Sequence, residues 1–567
     1  MSSRVQTLLT AAALSVAVVA LYACTAHFGF VRVDDADYTF GCAFVRGGLT
    51  GSGILEALRN VRHGGIWMPL TYLTYMADIS LFGAGAFGHH VANLLWHLLN
   101  VFLLWGLLRA LAGRRLFPAA LLLLVIWAVH PQRAEAVAWI AARKELVWSA
   151  CALAGLNLWA RGRLLAALPF ALLASAAKPT AMAFPALALA VDLFLKRRPQ
   201  WRFYVPLVLL ALATGALAVF SQTHPEGMAV KNLFYASLPG RLSTAIVAVG
   251  LSLAQAVVPL GVHFDYRAVT DALPRGWPVG FAVFLLAAAI FVFRGWRACR
   301  RGERVVARPE TAAVLWFFAA LVPTLGIFGS FGEHARADRF LYVPMMAAPI
   351  FAAVWTGADD SRRRRWLCAA LGLGVLFAAG LSVPVIASYR DDVALFTRTL
   401  RFDPENGRAL AHLGEAKCAA GELDGGIGLL RQSAAVRPRV ETTGKLAYAL
   451  MRRGRTSDFA EVRELCAGLT DDPKGQAFEA LGTAELVGRD WARAADHLTR
   501  SILAPARFYS PEDARLKLGY ALHNLGRRNE AMKLFEVAAK SSRRDIATRA
   551  IHAIDVVADD PDVMLFW

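Results

Sequence analysis

The chain is predicted to be all-α: a polytopic helical membrane domain over residues 1–388, followed by a helical solenoid over residues 389–567. Composition is the first reason, since 57% of the 567 residues are hydrophobic, 18% are charged and the mean hydropathy is +0.44, a balance that suits a bilayer rather than water. Second, apolar runs recur from about residue 7 to residue 388 and stop at Tyr389. Third, beyond that point prolines at 404, 438, 473 and 505 fall 34, 35 and 32 residues apart, a regular spacing that signals stacked repeats.

The first apolar run, at 7–27, follows Arg4 and leads into no small-residue cleavage site, so it is read as an uncleaved span. Short basic loops then set the sides: "RALAGRR" at 109–115, "RGR" at 161–163, "KRRPQWR" at 196–202, "RGWRACRRGERVVAR" at 294–308 and "RRRR" at 362–365. The positive-inside bias places all five in the cytoplasm. Spans near 7–27, 86–111, 115–130, 145–160, 164–177, 180–195, 203–220, 278–294, 310–328, 340–357 and 366–388 alternate between them, about eleven crossings with an external C-terminus. The apolar stretch 243–261 spoils that parity and is demoted to a re-entrant or interfacial helix. The same loops account for the net charge of +18, so nucleic acid is not implied. Seven scattered cysteines without C-x-x-C spacing indicate neither a zinc site nor a disulfide framework.

Against the insertion bias, the external loops carry many charges. The densest stretch is "AVHPQRAEAVAWIAARKELV" at 128–147. Its apolar positions Ala134, Val137, Ala138 and Ala141 keep helical spacing, with Glu135, Trp139 and Arg143 on another face. It is therefore expected to lie as a helix in the interface, Trp139 at headgroup level. In the first external loop "FVRVDDADYTF" offers two adjacent carboxylates, Asp34 and Asp35, as candidates for acid–base work. Asp35 is preferred, because neighbours in an extended loop point to opposite sides. Both could instead cap the helix after Tyr38. An anion presented at the external membrane surface needs fixed positive charge, for which Lys178, Arg339, Arg143, Lys144 and Arg336 are available. His130, Glu135, Asp338 and Tyr342 are supporting candidates. His89, His90 and His97 sit with Asn93 on an apolar helix, where helix–helix hydrogen bonding outweighs metal ligation.

The 34-residue period, with the unit "PENGRALAHLGEAKCAAGELDGGIGLLRQSAAVRP" and the pairs Leu413-Gly414, Leu446-Ala447, Leu481-Gly482 and Leu518-Gly519, resembles tetratricopeptide repeats. Taken with "HPQRAEAVAWIAARKEL", "WMPLTYLTYMADISLFG", "GHHVANLLWHLLN", "AAKPTAM" and "ADRFLYVP", in that architecture, the chain resembles bacterial relatives of the transmembrane and tetratricopeptide-repeat-containing O-mannosyltransferases. That resemblance implies a type C glycosyltransferase-like membrane domain, a polyprenyl-phosphate-linked sugar as donor, no covalently bound cofactor and an acidic base in the first external loop. It further implies a multi-pass protein of the bacterial inner membrane, N-terminus cytoplasmic, whose extracytoplasmic repeats hold an exported protein or peptide acceptor. Glu145 departs from the aspartate common in relatives, and the mannose identity does not transfer. Two other classes remain open: a membrane-anchored repeat scaffold for envelope assembly, and a lipid-linked glycan transporter, whose ionisable residues would lie near the midplane.

Overall fold

A computed structural model describes residues 3–61, 63–112, 118–223, 237–266, 276–305, 308–327, 336–354, 361–472, 474–504, 512–541, 543–560 and 563–565. Their regular structure is helical, without a strand, and the chain divides into two units, Met1–Leu395 and Phe396–Trp567. Pro473 and Pro505 lie outside the described residues.

In the first unit the helices are α1 (Ser3–Tyr22), α2 (Asp35–Tyr38), α3 (Gly51–Arg59), α4 (Pro69–Phe82), α5 (Ala86–Ala112), α6 (Pro118–Val129), α7 (Ala134–Ala138) and α8 (Arg143–Ala160). They continue as α9 (Leu164–Ala177), α10 (Phe184–Phe194), α11 (Trp201–Thr223), α12 (Leu238–Val257), α13 (Trp277–Arg300), α14 (Pro309–Leu321), α15 (Ala347–Val354) and α16 (Ser361–Ser388). Among the described residues, six helices are long and apolar enough to cross a bilayer: Arg4–His27, Ala86–Ala112, Trp201–Gln222, Leu238–Val257, Trp277–Arg300 and Arg364–Ser388. A seventh arises if α6 and the segment Pro131–Ala138, bent by 53°, count as one. The expectation of about eleven crossings is not confirmed among the described residues. α9 has 14 residues, and the apolar helix Pro179–Phe194 joins a 5-residue 3₁₀ turn to the 11-residue α10; both fall short of the roughly 20 residues that a crossing wants. In the 340–357 region the described residues form 3₁₀ turns at Asp338–Leu341 and Pro344–Met346 and the 8-residue α15. Conversely, the demoted stretch 243–261 falls in α12, a 20-residue helix of span length.

The bundle has two ends, and hydrogen bonds identify them. α5 and α8 run parallel: the Arg143 guanidinium donates to the His89 carbonyl at one end, and Arg161 just past α8 donates to the Gly106 carbonyl at the other. α9 returns antiparallel, its C-terminal Lys178 pairing with Glu145 at the start of α8. At the far end Arg197 donates to the Trp159 and Ala160 carbonyls. Arg109, Arg161 and Arg197 thus lie toward one end, and the loops carrying the candidate site at the opposite one. α12 and α13 pack backbone to backbone, where a Cβ on Gly250 would stand 1.7 Å from the Gly280 carbonyl oxygen.

In the second unit, α17 (Asp392–Phe402) leads into four helix pairs and a closing helix. These are α18 (Gly407–Ala419) with α19 (Leu423–Val436), α20 (Val440–Arg453) with α21 (Thr456–Cys466), α22 (Gln476–Val487) with α23 (Trp491–Ile502), α24 (Glu512–Asn524) with α25 (Arg528–Ala538), and α26 (Arg544–Asp559). The first helices of successive pairs touch one another, so they line one continuous face. The recurrent glycines mark the crossing within each pair. A Cβ on Gly414 would come 2.8 Å from the Gly426 carbonyl oxygen, one on Gly482 2.6 Å from Leu498, and one on Gly519 2.4 Å from Phe535. Ala447 takes the equivalent place in the second pair and is fully buried. This is the stacking that tetratricopeptide spacing calls for.

Candidate active site

Residues 131–147 do not form the interfacial helix that their spacing implies. A 3₁₀ turn at Pro131–Arg133 leads into the five-residue α7, then Trp139 breaks the helix with extended backbone, φ −90° and ψ 120°. A second 3₁₀ turn, Ile140–Ala142, precedes α8. The two breaks destroy the common face of Glu135, Trp139 and Arg143, and the segment is buried in protein, Trp139 included. An alanine-rich stretch reads as amphipathic by spacing alone, yet here every side of it meets protein.

Trp139 and Asp35 tie this segment to the first loop. Trp139 Nε1 donates to the Val33 carbonyl at 3.1 Å, while Asp35 accepts from the backbone N–H of Val31 and of Ala141, both at 2.8 Å, one on each carboxylate oxygen. Burial pushes the Asp35 carboxyl well above its usual range, and those two N–H groups oppose the shift. Its two oxygens are committed to holding loops together. Asp34 differs in every respect. It is partly exposed, and among the described residues no donor hydrogen-bonds its carboxylate. Its backbone sits in the left-handed region at φ 63°, an arrangement that costs of order 1 kcal/mol for a residue with a Cβ and needs support from its surroundings. Because α2 begins at Asp35, the loop is not extended there, and the argument that favoured Asp35, opposite-pointing neighbours in an extended loop, loses its geometric basis.

Three cations from separate segments converge beside this loop. Lys144 donates to the Tyr38 hydroxyl at 3.2 Å and lies 4.4 Å from the centre of that ring. Lys178 pairs with Glu145 and lies 5.4 Å from the Phe340 ring. Arg339 pairs with Glu135, packs 4.8 Å from the same Phe340 ring and 5.2 Å from the Trp139 ring. Burial lowers both lysines to about 8; Asp34 and Glu145 respectively oppose that shift, and Arg339 adds to it in both. Three cations, Lys144, Lys178 and Arg339, thus face three carboxylates, Asp34, Glu135 and Glu145. Lys144, Lys178, Glu135 and Glu145 are buried, while Asp34 and the Arg339 side chain are partly exposed.

The remaining candidates sit around this cluster or apart from it. Arg143 turns inward: its Nε donates to Asn93 at 2.7 Å, Nη2 to the His89 carbonyl at 2.6 Å, and Nη1 pairs with Asp78. His89 Nδ1 shares Asp78 at 2.8 Å, so this group locks α4, α5 and α8 together. Asp338 accepts from the Tyr266 hydroxyl at 2.9 Å and from Gln132 at 3.3 Å; burial, with Glu135 nearby, raises it to about 7. Arg336 bonds Gln255 and lies 4.0 Å from the Tyr266 ring. His130 caps its 3₁₀ turn by accepting from the Gln132 N–H at 3.3 Å. Tyr342 is fully buried and its hydroxyl lies 2.7 Å from His97 Nδ1. Sequence reasoning passed over Tyr38, Phe340 and Tyr266. Tyr38 stands four residues after Asp34 in the same loop, a legible signal; the others reach the cluster only through the fold. Among the described residues, no three His, Cys, Asp or Glu side chains gather as a metal site.

No family model matches this chain, and no curated protein does. Among solved structures, the crystal structure of the yeast Tom70 aligns at 13% identity over 74% of this chain and 91% of that one, with a TM-score of 0.20.

Proposed function

We propose that the protein is a membrane glycosyltransferase that moves a sugar from a polyprenyl-phosphate carrier to a hydroxyl acceptor, a serine or threonine of an exported protein held by the repeats. One observation carries this reading: Lys144, Lys178 and Arg339 converge on the loop that exposes the uncommitted Asp34 carboxylate. In such a site the cations hold the phosphate that departs with the carrier, and low dielectric strengthens their grip. Asp34 takes the proton of the attacking hydroxyl, while Asp35 positions the loop. The hydroxyl oxygen forms its bond to the anomeric carbon as the bond to the phosphate oxygen breaks, and the electron pair leaves with the phosphate.

Within this proposal the site end faces outward, the basic end faces the cytoplasm, and the membrane is the bacterial inner one. Transporter chemistry fits less well, because the charged groups collect at one end of the bundle rather than near its middle. The deciding experiment offers purified protein a panel of polyprenyl-phosphate sugars with a hydroxyl-bearing peptide. Transfer from one member supports the reading, and donor exchange across the membrane without any transfer replaces it by transport.

A further inference from the structure

At the opposite end of the bundle from Asp34 lies an open cleft of about 620 Å³, lined by Phe102, Trp105, Gly106, Arg109, Ala110 and Arg161. Its position follows from α5: Arg109 is 20 residues beyond His89, roughly 30 Å along the helix. Arg161 is preset, Nη1 donating to the Asn157 side chain at 2.7 Å and to its carbonyl at 2.8 Å, and Nη2 to the Gly106 carbonyl at 3.3 Å. Arg109 lies 5.5 Å from the Trp105 ring centre. Gly106 keeps the wall low, since a Cβ there would meet the Asn157 carboxamide oxygen at 2.9 Å.

Two guanidinium groups therefore share one cleft whose described lining includes no carboxylate. Capping of α8 accounts for Arg161 but not for Arg109, and like charges on one wall favour an anion between them. Phe102 and Trp105 supply an apolar floor at the membrane end of the cleft, on a helix long enough to cross. We infer that this cleft binds a phosphate-bearing anion, namely the phosphodiester headgroup of an anionic bilayer lipid, with its acyl chains on the aromatic floor. The inference is independent of sugar transfer, because no residue of the Asp34 cluster takes part.

The test uses the full-length protein in nanodiscs of phosphatidylglycerol and phosphatidylcholine, with lipid retention read by native mass spectrometry. Retained phosphatidylglycerol is expected to fall about tenfold in Arg109→Gln, the loss of one charge-assisted contact. It should stay unchanged in Arg294→Gln, an arginine of another basic loop that is paired with Glu310. Equal retention in wild type and Arg109→Gln overturns the site. Displacement of the lipid by millimolar inorganic phosphate overturns the headgroup as its occupant and assigns the cleft to a soluble anion. Because Arg161 also caps α8, Arg109→Gln is the primary variant, and an unchanged thermal unfolding profile confirms its fold.

Discussion

At the scale of single residues, the two adjacent aspartates separate by what holds them. Asp34→Asn keeps the shape and the left-handed backbone that asparagine tolerates, yet it removes the base. Turnover should fall roughly 10²- to 10⁴-fold with donor affinity nearly intact, as measured by single-turnover transfer and donor binding side by side. Asp35→Asn replaces one accepting oxygen by an N–H₂ group that faces a backbone N–H. It should lower stability by about 1–3 kcal/mol, read in thermal unfolding, and activity only in proportion to the folded fraction. A result in which Asp35→Asn abolishes transfer in well-folded protein, while Asp34→Asn does not, reverses the assignment. The lysines give a pH signature. Their folded-state values near 8 stand below the ordinary 10.5, so both lose charge as pH rises through 8. Donor affinity should therefore be flat below that point and fall above it, by up to about tenfold per pH unit per lysine, and Lys144→Arg should remove part of the fall. Sequence alone could assemble the list of cations but not rank it: Arg143 and Arg339 are equally basic, and only the position of Asp78 shows that one of them is enclosed.

At the scale of elements, what misled the sequence reading was backbone rather than side-chain character. The run 131–147 has helical spacing, but the extended Trp139 splits it, and no residue type there announces the break. The parity argument that demoted 243–261 counted α9 and α10 as full spans, although their lengths fall short. Counting apolar residues finds helices more reliably than it finds crossings, since a helix buried in protein is as apolar as one facing lipid. Gly250 makes a direct test of the α12–α13 contact. Gly250→Ala forces the helices apart at a point where backbone meets backbone, and should cost about 1–3 kcal/mol, whereas Gly372→Ala in α16, which meets nothing within 4 Å, should be neutral. Thermal unfolding in detergent distinguishes the two, and similar midpoints would mean that the close approach is not maintained.

At the scale of the whole molecule, the division into two units was legible because composition changes at Tyr389 and a 34-residue rhythm follows. Repeat periodicity survives where motif reading fails, since each pair needs a small residue where its helices cross. Truncation after Leu395 removes the second unit, keeps every residue of the Asp34 cluster and spares Asp392, which holds Arg32 in the first loop. Protection of the first unit by added donor should persist, while transfer to a protein acceptor should drop at least tenfold, as expected when a tethered acceptor loses its effective concentration. Normal transfer to the protein acceptor by the truncated chain would detach the repeats from acceptor recognition.

The ion pair between Glu135 and Arg339 joins segments 204 residues apart. Lys178, by contrast, finds Glu145 within 33 residues, across a single helical hairpin. At synthesis rates of about 5–20 residues per second, Glu135 emerges roughly 10–40 seconds before its partner. Through that interval a carboxylate destined for a dry interior has no counter-ion of its own. The loop must wait in a wet, half-assembled form at the membrane surface, and the site closes only when the last third of the membrane unit arrives. Assembly of the Asp34 cluster is thus tied to the arrival of Arg339, and chains that stall before it should carry an open, charged segment there.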